Sequence, residues 1–237
     1  MWNERYAVDE YVYGSEPNLF LAEHAGMLSG PVLSLAEGEG RNGVFLASLG
    51  LKVHGVDGSD VGLAKARALA RSKGVEIQTE VADLGVFEPE ANHYGSVISI
   101  SAHLPSVIRQ RLYPFVERCL KPGGIIVLEA YSEAQLTRNT GGPKDLDMLM
   151  TKAKIEREFP NCDPILLREL EREVREGTYH TGIASVVQFI GRKKIIINSC
   201  RRRFAAQRNS GVGLLQTRIS LVKIYRSKRR ASYGLTP

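Results

Sequence analysis

The sequence is poor in cysteine and tryptophan, and this narrows the kinds of site it can build. Its 237 residues include three cysteines and one tryptophan. Cys119, Cys162 and Cys200 are widely spaced and odd in number, so they predict neither a zinc site nor a disulfide framework. We expect no bound metal, and we expect free thiols, which are typical of a reducing cytoplasm.

Long hydrophobic runs are also lacking. The longest apolar stretch, residues 182–191, is far shorter than the roughly 20 residues that cross a bilayer. The N-terminal residues 1–14 contain no apolar segment and predict no signal peptide. We therefore expect a cytoplasmic protein with no membrane partner.

Acidic residues are absent from the C-terminal part of the sequence. Residues 195–237 contain ten Lys or Arg and no Asp or Glu. Residues 1–194 hold the remaining 22 basic residues against all 26 acidic ones, a net charge of −4, although the whole chain has +6. The body therefore does not indicate a basic groove for nucleic acid. We predict one folded domain, 1–194, and a basic extension, 195–237, that is disordered or unrelated to the domain.

Apolar runs alternate with amphipathic segments through the first half of the chain. Strands separated by helices of this length predict βαβ units and a parallel sheet. The predicted strands are 31–36, 52–57, 75–83, 95–102 and 123–131, and the predicted helices are 40–50, 59–74 and 105–120.

The pattern changes after residue 137. A glycine-rich loop is predicted at 138–143 and a helix around 145–159. Residues 166–177 and 180–193 favour two neighbouring strands joined by a turn, although the many charges of the first are also compatible with a helix. The predicted fold class is α/β, a Rossmann-like, doubly wound, mostly parallel sheet with a late antiparallel hairpin.

A glycine-rich turn follows the first predicted strand. In "AEGEGRNG", Gly38, Gly40 and Gly43 form a G-x-G-x-x-G pattern that lets the backbone approach a nucleoside cofactor closely. Glu37 and Glu39 lie in the same turn and would repel a pyrophosphate. S-adenosylmethionine carries a sulfonium and an ammonium against one carboxylate, so it tolerates acids there.

Two aspartates end the strands that follow. Asp57 lies 17 residues after Gly40, where a carboxylate can accept hydrogen bonds from both ribose hydroxyls of an adenosine. Asp83 can accept from an adenine amino group or cap a turn, and Leu84 can pack on the base. Asn42 can cap the next helix or contact the ligand. The ribose contact alone does not separate NAD from S-adenosylmethionine.

Four segments in this order resemble the class I S-adenosylmethionine-dependent methyltransferases: "LAEGEGRNG", "VHGVDGS", "ADL" and "LKPGG". The similarity extends over residues 1–192. "EGEGRN", "HLP" at 103–105 and "EREVREGTYHTG" at 171–182 are more narrowly similar to bacterial small-molecule methyltransferases of the tellurite-resistance (TehB-like) type. The resemblance implies S-adenosylmethionine as cofactor and a small acceptor with a soft nucleophile, a thiol, selenium or tellurium species. The cofactor contacts that it implies are Glu37, Gly38, Gly40, Asn42, Asp57, Gly58, Ser59, Asp83, Leu84 and Ser99.

Two histidines are candidates for the acceptor side of the site. His103 follows the fourth strand, where this superfamily presents active-site residues, and is a candidate catalytic base, cofactor wall or structural histidine. His180 lies on the predicted hairpin and is a candidate to face the substrate. The N-terminal aromatic residues predict either a lid over the cofactor or a separate hydrophobic cluster: Trp2, Tyr6, Tyr11 and Tyr13.

Two other classes of function use the same features. An NAD-dependent oxidoreductase would use the same glycine turn, but the two acids and the late hairpin disfavour it. A nucleic-acid-binding protein would act through the basic extension, but the charge of the body disfavours it. The N/D-P-P-Y/F signature of amino methyltransferases is absent where "SISAHLP" stands, which disfavours methylation of DNA adenine or glutamine.

Overall fold

Seven strands form one sheet within residues 2–195, the part of the chain that the structure describes. In this computed structural model the strand order is β3-β2-β1-β4-β5-β7-β6. The first five strands pair in parallel, whereas β7 pairs antiparallel with both β5 and β6. The strands are β1 Val32–Leu35, β2 Val53–Asp57, β3 Gln78–Val81, β4 Tyr94–Ile100, β5 Leu120–Tyr131, β6 Cys162–Glu176 and β7 His180–Lys193.

Helices form three of the four connections between the parallel strands, as the sequence pattern predicts, and β3 leads to β4 without a helix. Ser59 caps the second of these connecting helices because its side chain accepts a hydrogen bond from the Gly62 N–H. Gly50 follows the first and has a positive φ of 85°, the conformation that commonly ends a helix. The α-helices are α1 Trp2–Tyr6, α2 Leu19–His24, α3 Arg41–Ser48, α4 Asp60–Ser72, α5 Ser106–Cys119 and α6 Lys152–Glu158.

The predicted α/β class and the late hairpin are confirmed. The charged segment that was compatible with a helix is the edge strand β6, where charged side chains hinder pairing with another sheet. The predicted helix at 145–159 is wrong over its first half, because Asp145 and Thr151 each cap a short element of their own. A 3₁₀ turn, Leu146–Met148, therefore precedes α6. The helices α1 and α2 were not predicted.

Apolar side chains from the central strands pack on both faces of the sheet. Leu33 and Leu128 belong to one hydrophobic cluster, and their neighbours Val32 and Val127 belong to the other. This alternation follows from the two-residue period of a strand. Helices cover both faces, which explains why β1 and β4 are buried along their whole length.

The carboxyl ends of the parallel strands lie at one edge of the sheet, and the hairpin reaches the same edge. Tyr131, the last residue of β5, pairs with Val186 of β7. The first residues of β7 therefore extend beyond the end of β5. At the hairpin turn, the Thr178 N–H donates to the Val12 carbonyl at 2.9 Å, so the N-terminal segment meets the hairpin there.

Some predictions fall on the C-terminal part of the sequence. Residues 196–237 lie outside the described residues, so the basic extension stays a prediction, as does the free thiol of Cys200. Cys119 and Cys162 are buried free thiols. Within residues 2–195 no helix has the length and apolar character that a membrane crossing requires.

Candidate functional site

A cavity of about 820 Å³ lies at the carboxyl edge of the sheet. This volume is in the range of small-molecule sites. The glycine turn, the ends of the neighbouring strands, the N-terminal segment and the β6–β7 turn form its walls. The predicted site residues that line it are Glu37, Gly38, Asn42, Asp57, Gly58, Asp83, Leu84 and His103.

The two central glycines of the turn serve different purposes. Both have positive φ, 58° at Gly38 and 95° at Gly40. Gly38 lines the cavity, whereas Gly40 does not. A Cβ atom on Gly40 would lie 2.7 Å from the Cα of Ala66 in α4, closer than real Cβ contacts. Gly40 is thus required where the turn packs against α4, behind the cavity wall.

Asp57 has a carboxylate that the backbone holds in place at the cavity wall. Oδ2 accepts from the Gly38 N–H and Oδ1 accepts from the Ser59 N–H, each at 2.8 Å. Burial raises the pKa of Asp57, and these two backbone hydrogen bonds partly oppose that effect. Each oxygen keeps a further lone pair, so the arrangement fits a diol ligand such as a ribose.

The two glutamates of the turn carry less free negative charge than the sequence suggests. Glu37 Oε1 accepts from the Gly43 N–H at 2.8 Å. Burial raises the pKa of Glu37 to about 7, against the opposing effects of the Ser34 hydroxyl and the Gly43 N–H. Glu39 pairs with the Lys65 ammonium at 2.5 Å. The electrostatic argument against a pyrophosphate is therefore weaker than it is from sequence alone.

Asn42 and Asp83 take part in local structure while they line the cavity. Asn42 Oδ1 accepts from the Asn18 N–H at 3.0 Å and so fixes the start of α2. Asp83 Oδ1 accepts from the Gly85 N–H at 2.8 Å. The turn-capping alternative for Asp83 is therefore realised, and its exposed side chain also remains accessible from the cavity.

Ser59 and Ser99 lie outside the cavity wall. The Ser59 hydroxyl donates to Asn3 Oδ1 and accepts from the Gly62 N–H, which places it at the start of α4. Ser99 is 2% exposed within β4, between β1 and β5. The structure does not bring these two predicted contacts together with the others, and their cofactor role stays a prediction.

His103 lines the cavity with its basic nitrogen already occupied. Its Nε2 accepts from the Tyr131 N–H at 3.0 Å, and its ring stacks on Tyr131 with centroids 5.1 Å apart. Burial, together with the nearby His180, lowers the pKa of His103 to about 3. This geometry favours a neutral wall residue over a general base.

A buried ionic network lies beside the cavity, and the sequence analysis did not predict it. Arg41 Nη2 lies 2.8 Å from Glu176 Oε2, and Arg172 Nη2 lies 2.9 Å from Glu176 Oε1. Arg172 also pairs with Glu129 at 2.5 Å. The signal that could have revealed it is Glu129 itself, an acid inside a strand that is otherwise apolar, since buried charges require partners.

Three of the four N-terminal aromatic residues line the cavity: Trp2, Tyr6 and Tyr13. The Arg5 guanidinium lies 5.1 Å from the ring centroids of both Trp2 and Tyr179, and so connects α1 with the hairpin. Tyr11 packs on Lys65 instead. The N-terminal segment therefore forms part of the cavity wall.

The strand order, the glycine turn after β1 and the aspartate at the end of β2 together define a Rossmann-like fold of the class I methyltransferase type. Residues 32–124 match the family model described as methyltransferase domain. A search of curated proteins finds no match for the chain.

Solved structures are similar over most of the chain. A protein studied for the conversion of a disulfide bond into a thioacetal group during echinomycin biosynthesis is 20% identical, with a TM-score of 0.65, over 87% of this chain and 94% of its own. TehB from Haemophilus influenzae is 14% identical, with a TM-score of 0.60, over 81% and 66%. A geranyl diphosphate methyltransferase, in complex with GPP and sinefungin, is 16% identical, with a TM-score of 0.55, over 73% of this chain and 75% of its own.

At these identities the structural likeness establishes the fold. Together with the family match it supports an enzyme of the S-adenosylmethionine-dependent methyltransferase kind. The chain resembles TehB and related class I methyltransferases, as its motifs indicate.

Proposed function

We propose that this protein transfers a methyl group from S-adenosylmethionine to a small molecule that carries a soft nucleophile, a thiol, selenium or tellurium species. The observation that carries the proposal is the cavity at the carboxyl edge of the sheet, which has Asp57 on one side and His103 and His180 on the other. When bound, S-adenosylmethionine supplies a methyl group activated by a positively charged sulfur. The protein contributes binding, orientation and exclusion of water.

The residues at the glycine turn fit this cofactor. Asp57 would accept hydrogen bonds from the ribose hydroxyls, and the turn at Gly38 would lie against the methionine part. Leu84 would pack on the adenine, with Asp83 at its amino group.

The walls and the size of the cavity support a small acceptor. The N-terminal segment and the β6–β7 turn both line it and are hydrogen-bonded to each other, and its volume is in the range of small-molecule sites. Sulfur and tellurium chemistry is suggested by two similar structures, the protein linked to disulfide conversion and TehB.

The proposal is tested by calorimetric titration of the purified full chain with S-adenosylhomocysteine and, separately, with NAD. We expect S-adenosylhomocysteine to bind and NAD not to bind. We expect Asp57→Ala to weaken binding at least about 100-fold, because two hydrogen bonds to a charged group are lost. Glu76→Ala, which removes an exposed acid away from the cavity, should bind as the wild type does.

The acceptor is then sought among thiols, selenols and tellurite with labelled S-adenosylmethionine. A well-folded protein that binds no S-adenosylhomocysteine would refute the methyltransferase proposal. If the protein binds S-adenosylhomocysteine but transfers no methyl group to any of these acceptors, the proposed cofactor stands and the proposed soft-nucleophile acceptor is refuted.

A further inference from the structure

His180 and Glu176 form a carboxylate–imidazole pair at the acceptor side of the cavity. His180 Nδ1 lies 3.7 Å from Glu176 Oε2. The two residues face each other across the turn that joins β6 to β7, as partners in the last pair of the hairpin ladder. Both are 8% exposed, and His180 lines the cavity. Catalytic hydrogen bonds are often this long before a ligand is bound.

The other ring nitrogen of His180 is free for a ligand. Nδ1 is buried and makes no hydrogen bond, and Glu176 Oε2 lies 3.7 Å from it. Nε2 has no hydrogen-bond partner among residues 2–195. A carboxylate on Nδ1 fixes the proton there and leaves the lone pair on Nε2. This differs from His103, whose Nε2 lone pair is used by the Tyr131 N–H.

The charges around the pair hold Glu176 ionised. Although burial opposes it, the contacts with His180, Arg41 and Arg172 keep the pKa of Glu176 well below its usual range. Arg172 also pairs with Glu129, so the positive charges of the two arginines balance the negative charges of the two glutamates. Glu176 is therefore an ionised carboxylate that can accept a hydrogen bond from the imidazole and orient it.

The other groups around His180 are aromatic and uncharged. The ring of Tyr13, from the N-terminal segment, lies 4.7 Å from the His180 ring, and that of Tyr131, from β5, lies 5.3 Å from it. Burial raises the pKa of Tyr131, so this phenol stays neutral, and His103 is neutral as well. His180 is thus the one histidine of this wall that has an orienting carboxylate and a free nitrogen, within the described residues.

We infer that His180 is the general base of this site, that Glu176 positions it, and that the acceptor is a nucleophile that is protonated at neutral pH, a thiol. This inference rests on the proposed function. The Nε2 lone pair takes the proton of the S–H group, and the electron pair of that bond stays on the acceptor sulfur. The thiolate then attacks the methyl carbon, whose bond to the sulfonium breaks with its electron pair going to the cofactor sulfur. The proton leaves His180 for solvent, so one proton is released for each methyl group transferred.

The first test needs no substrate. In ¹⁵N-histidine-labelled protein at pH 8, we expect the resonances that His180→Asn removes to report the Nδ1–H tautomer. We expect Glu176→Gln to weaken the preference for this tautomer, because the carboxylate that orients the Nδ1 proton is lost. A neutral His180 with its proton on Nε2 would overturn the inference.

The second test compares two acceptors at pH 7. An aliphatic thiol such as 2-mercaptoethanol is mostly protonated there, whereas 5-thio-2-nitrobenzoate is a thiolate. We expect His180→Asn to slow methylation of the aliphatic thiol at least about 100-fold and to slow that of the thiolate far less. The loss on the aliphatic thiol should shrink as pH rises. His93→Asn, at a histidine whose side chain is 43% exposed, is the matched control and should change neither rate.

The other possible results separate the inference about His180 from the proposed function. Equal slowing of both acceptors by His180→Asn would make His180 a wall residue and overturn the inference. Methylation of the thiolate alone by the wild type would do the same. A protein that binds S-adenosylhomocysteine and methylates neither thiol would refute the thiol acceptor and leave the cofactor site intact. Failure to bind S-adenosylhomocysteine would instead refute the proposed function.

Discussion

Glu37 shows how a single buried carboxyl group links the glycine turn to the stability of the fold. Its side chain lies beneath the turn, so close to β2 that a Cβ atom on Gly55 would lie 2.8 Å from Glu37 Cγ. Ser34, three residues earlier in β1, carries no acid. Here the acid beneath the turn comes from Glu37, and the Gly43 N–H is its backbone partner.

This burial predicts a pH-dependent stability. The pKa of Glu37 is about 7 in the folded protein and about 4.3 in an unfolded chain. Between these values the folded state binds more protons, so the contribution of Glu37 to the free energy of unfolding falls as the pH rises. We expect Glu37→Gln to lack this contribution. The wild-type value minus the variant value should fall by on the order of 3 kcal/mol between pH 4 and pH 8.

Urea unfolding at several pH values measures this difference. Taking the difference removes the opposite contribution of His103, whose lowered pKa makes stability rise with pH in the acid range. Glu76→Gln is the exposed control and should follow the wild type. A difference between wild type and Glu37→Gln that stays constant with pH would contradict the prediction.

At single positions, the sequence predicts which segments carry polar residues at the site better than it predicts the hydrogen bonds that those residues make. Asp57 is found from the pattern because the end of a parallel strand always lies at the ligand edge of such a sheet. Ser59 and Asn42 are polar residues in the expected segments, yet their polar atoms serve a helix cap and the start of α2. The cap is predictable, because its partner Gly62 lies three residues from Ser59. The partner of Asn42 is not, because Asn18 lies 24 residues away.

At the level of elements, the β6–β7 hairpin contributes site residues that the alternation of strands and helices does not predict. Its pairing was predicted from a charged stretch and an apolar stretch joined by a turn, although the charges left a helix open for the first. Its ion pairs to α3 and β5 were not, since they join Arg41, Glu129 and Glu176 across distant parts of the chain. Likewise, the sequence pattern did not predict that Asp145 and Thr151 each cap a separate short element within residues 145–159.

Gly177 tests the contact between the hairpin turn and the N-terminal segment. It has a φ of 66°, and an added Cβ would overlap the Val12 carbonyl oxygen. Gly74, after α4, has a similar φ of 70° with open space around it. We expect Gly74→Ala to cost about 1–2 kcal/mol through backbone strain alone, and Gly177→Ala to cost about 1–3 kcal/mol more because of the overlap.

Chemical unfolding gives the two costs, and limited proteolysis near residue 12 reports release of the N-terminal segment in Gly177→Ala. Equal stability of the two variants, with equal protection from protease, would show that the contact between the turn and Val12 contributes little.

For the whole molecule, the change in charge along the sequence predicts a boundary. The described residues belong to one compact unit whose limit lies beside the start of the basic extension. The boundary stays a prediction, which the sequence makes because ten basic residues without an acid differ so clearly from the mildly acidic body. The sequence could not indicate what the extension does.

Truncation tests the boundary. We expect a chain that ends at residue 196 to keep the melting temperature and the S-adenosylhomocysteine affinity of the full chain. A chain that ends at Gly191 should lose stability, because Arg192 and Lys193 pair with Ile125 and Cys162 in the sheet. Loss of affinity in the longer truncated chain would place part of the site beyond residue 196.

The contact between the N-terminal segment and the hairpin also has a kinetic consequence. Thr178 is hydrogen-bonded to Val12, and Arg5 lies between Trp2 and Tyr179, so the two segments meet over the cavity. We expect a variant that loosens this contact to exchange ligands faster while it holds them less tightly.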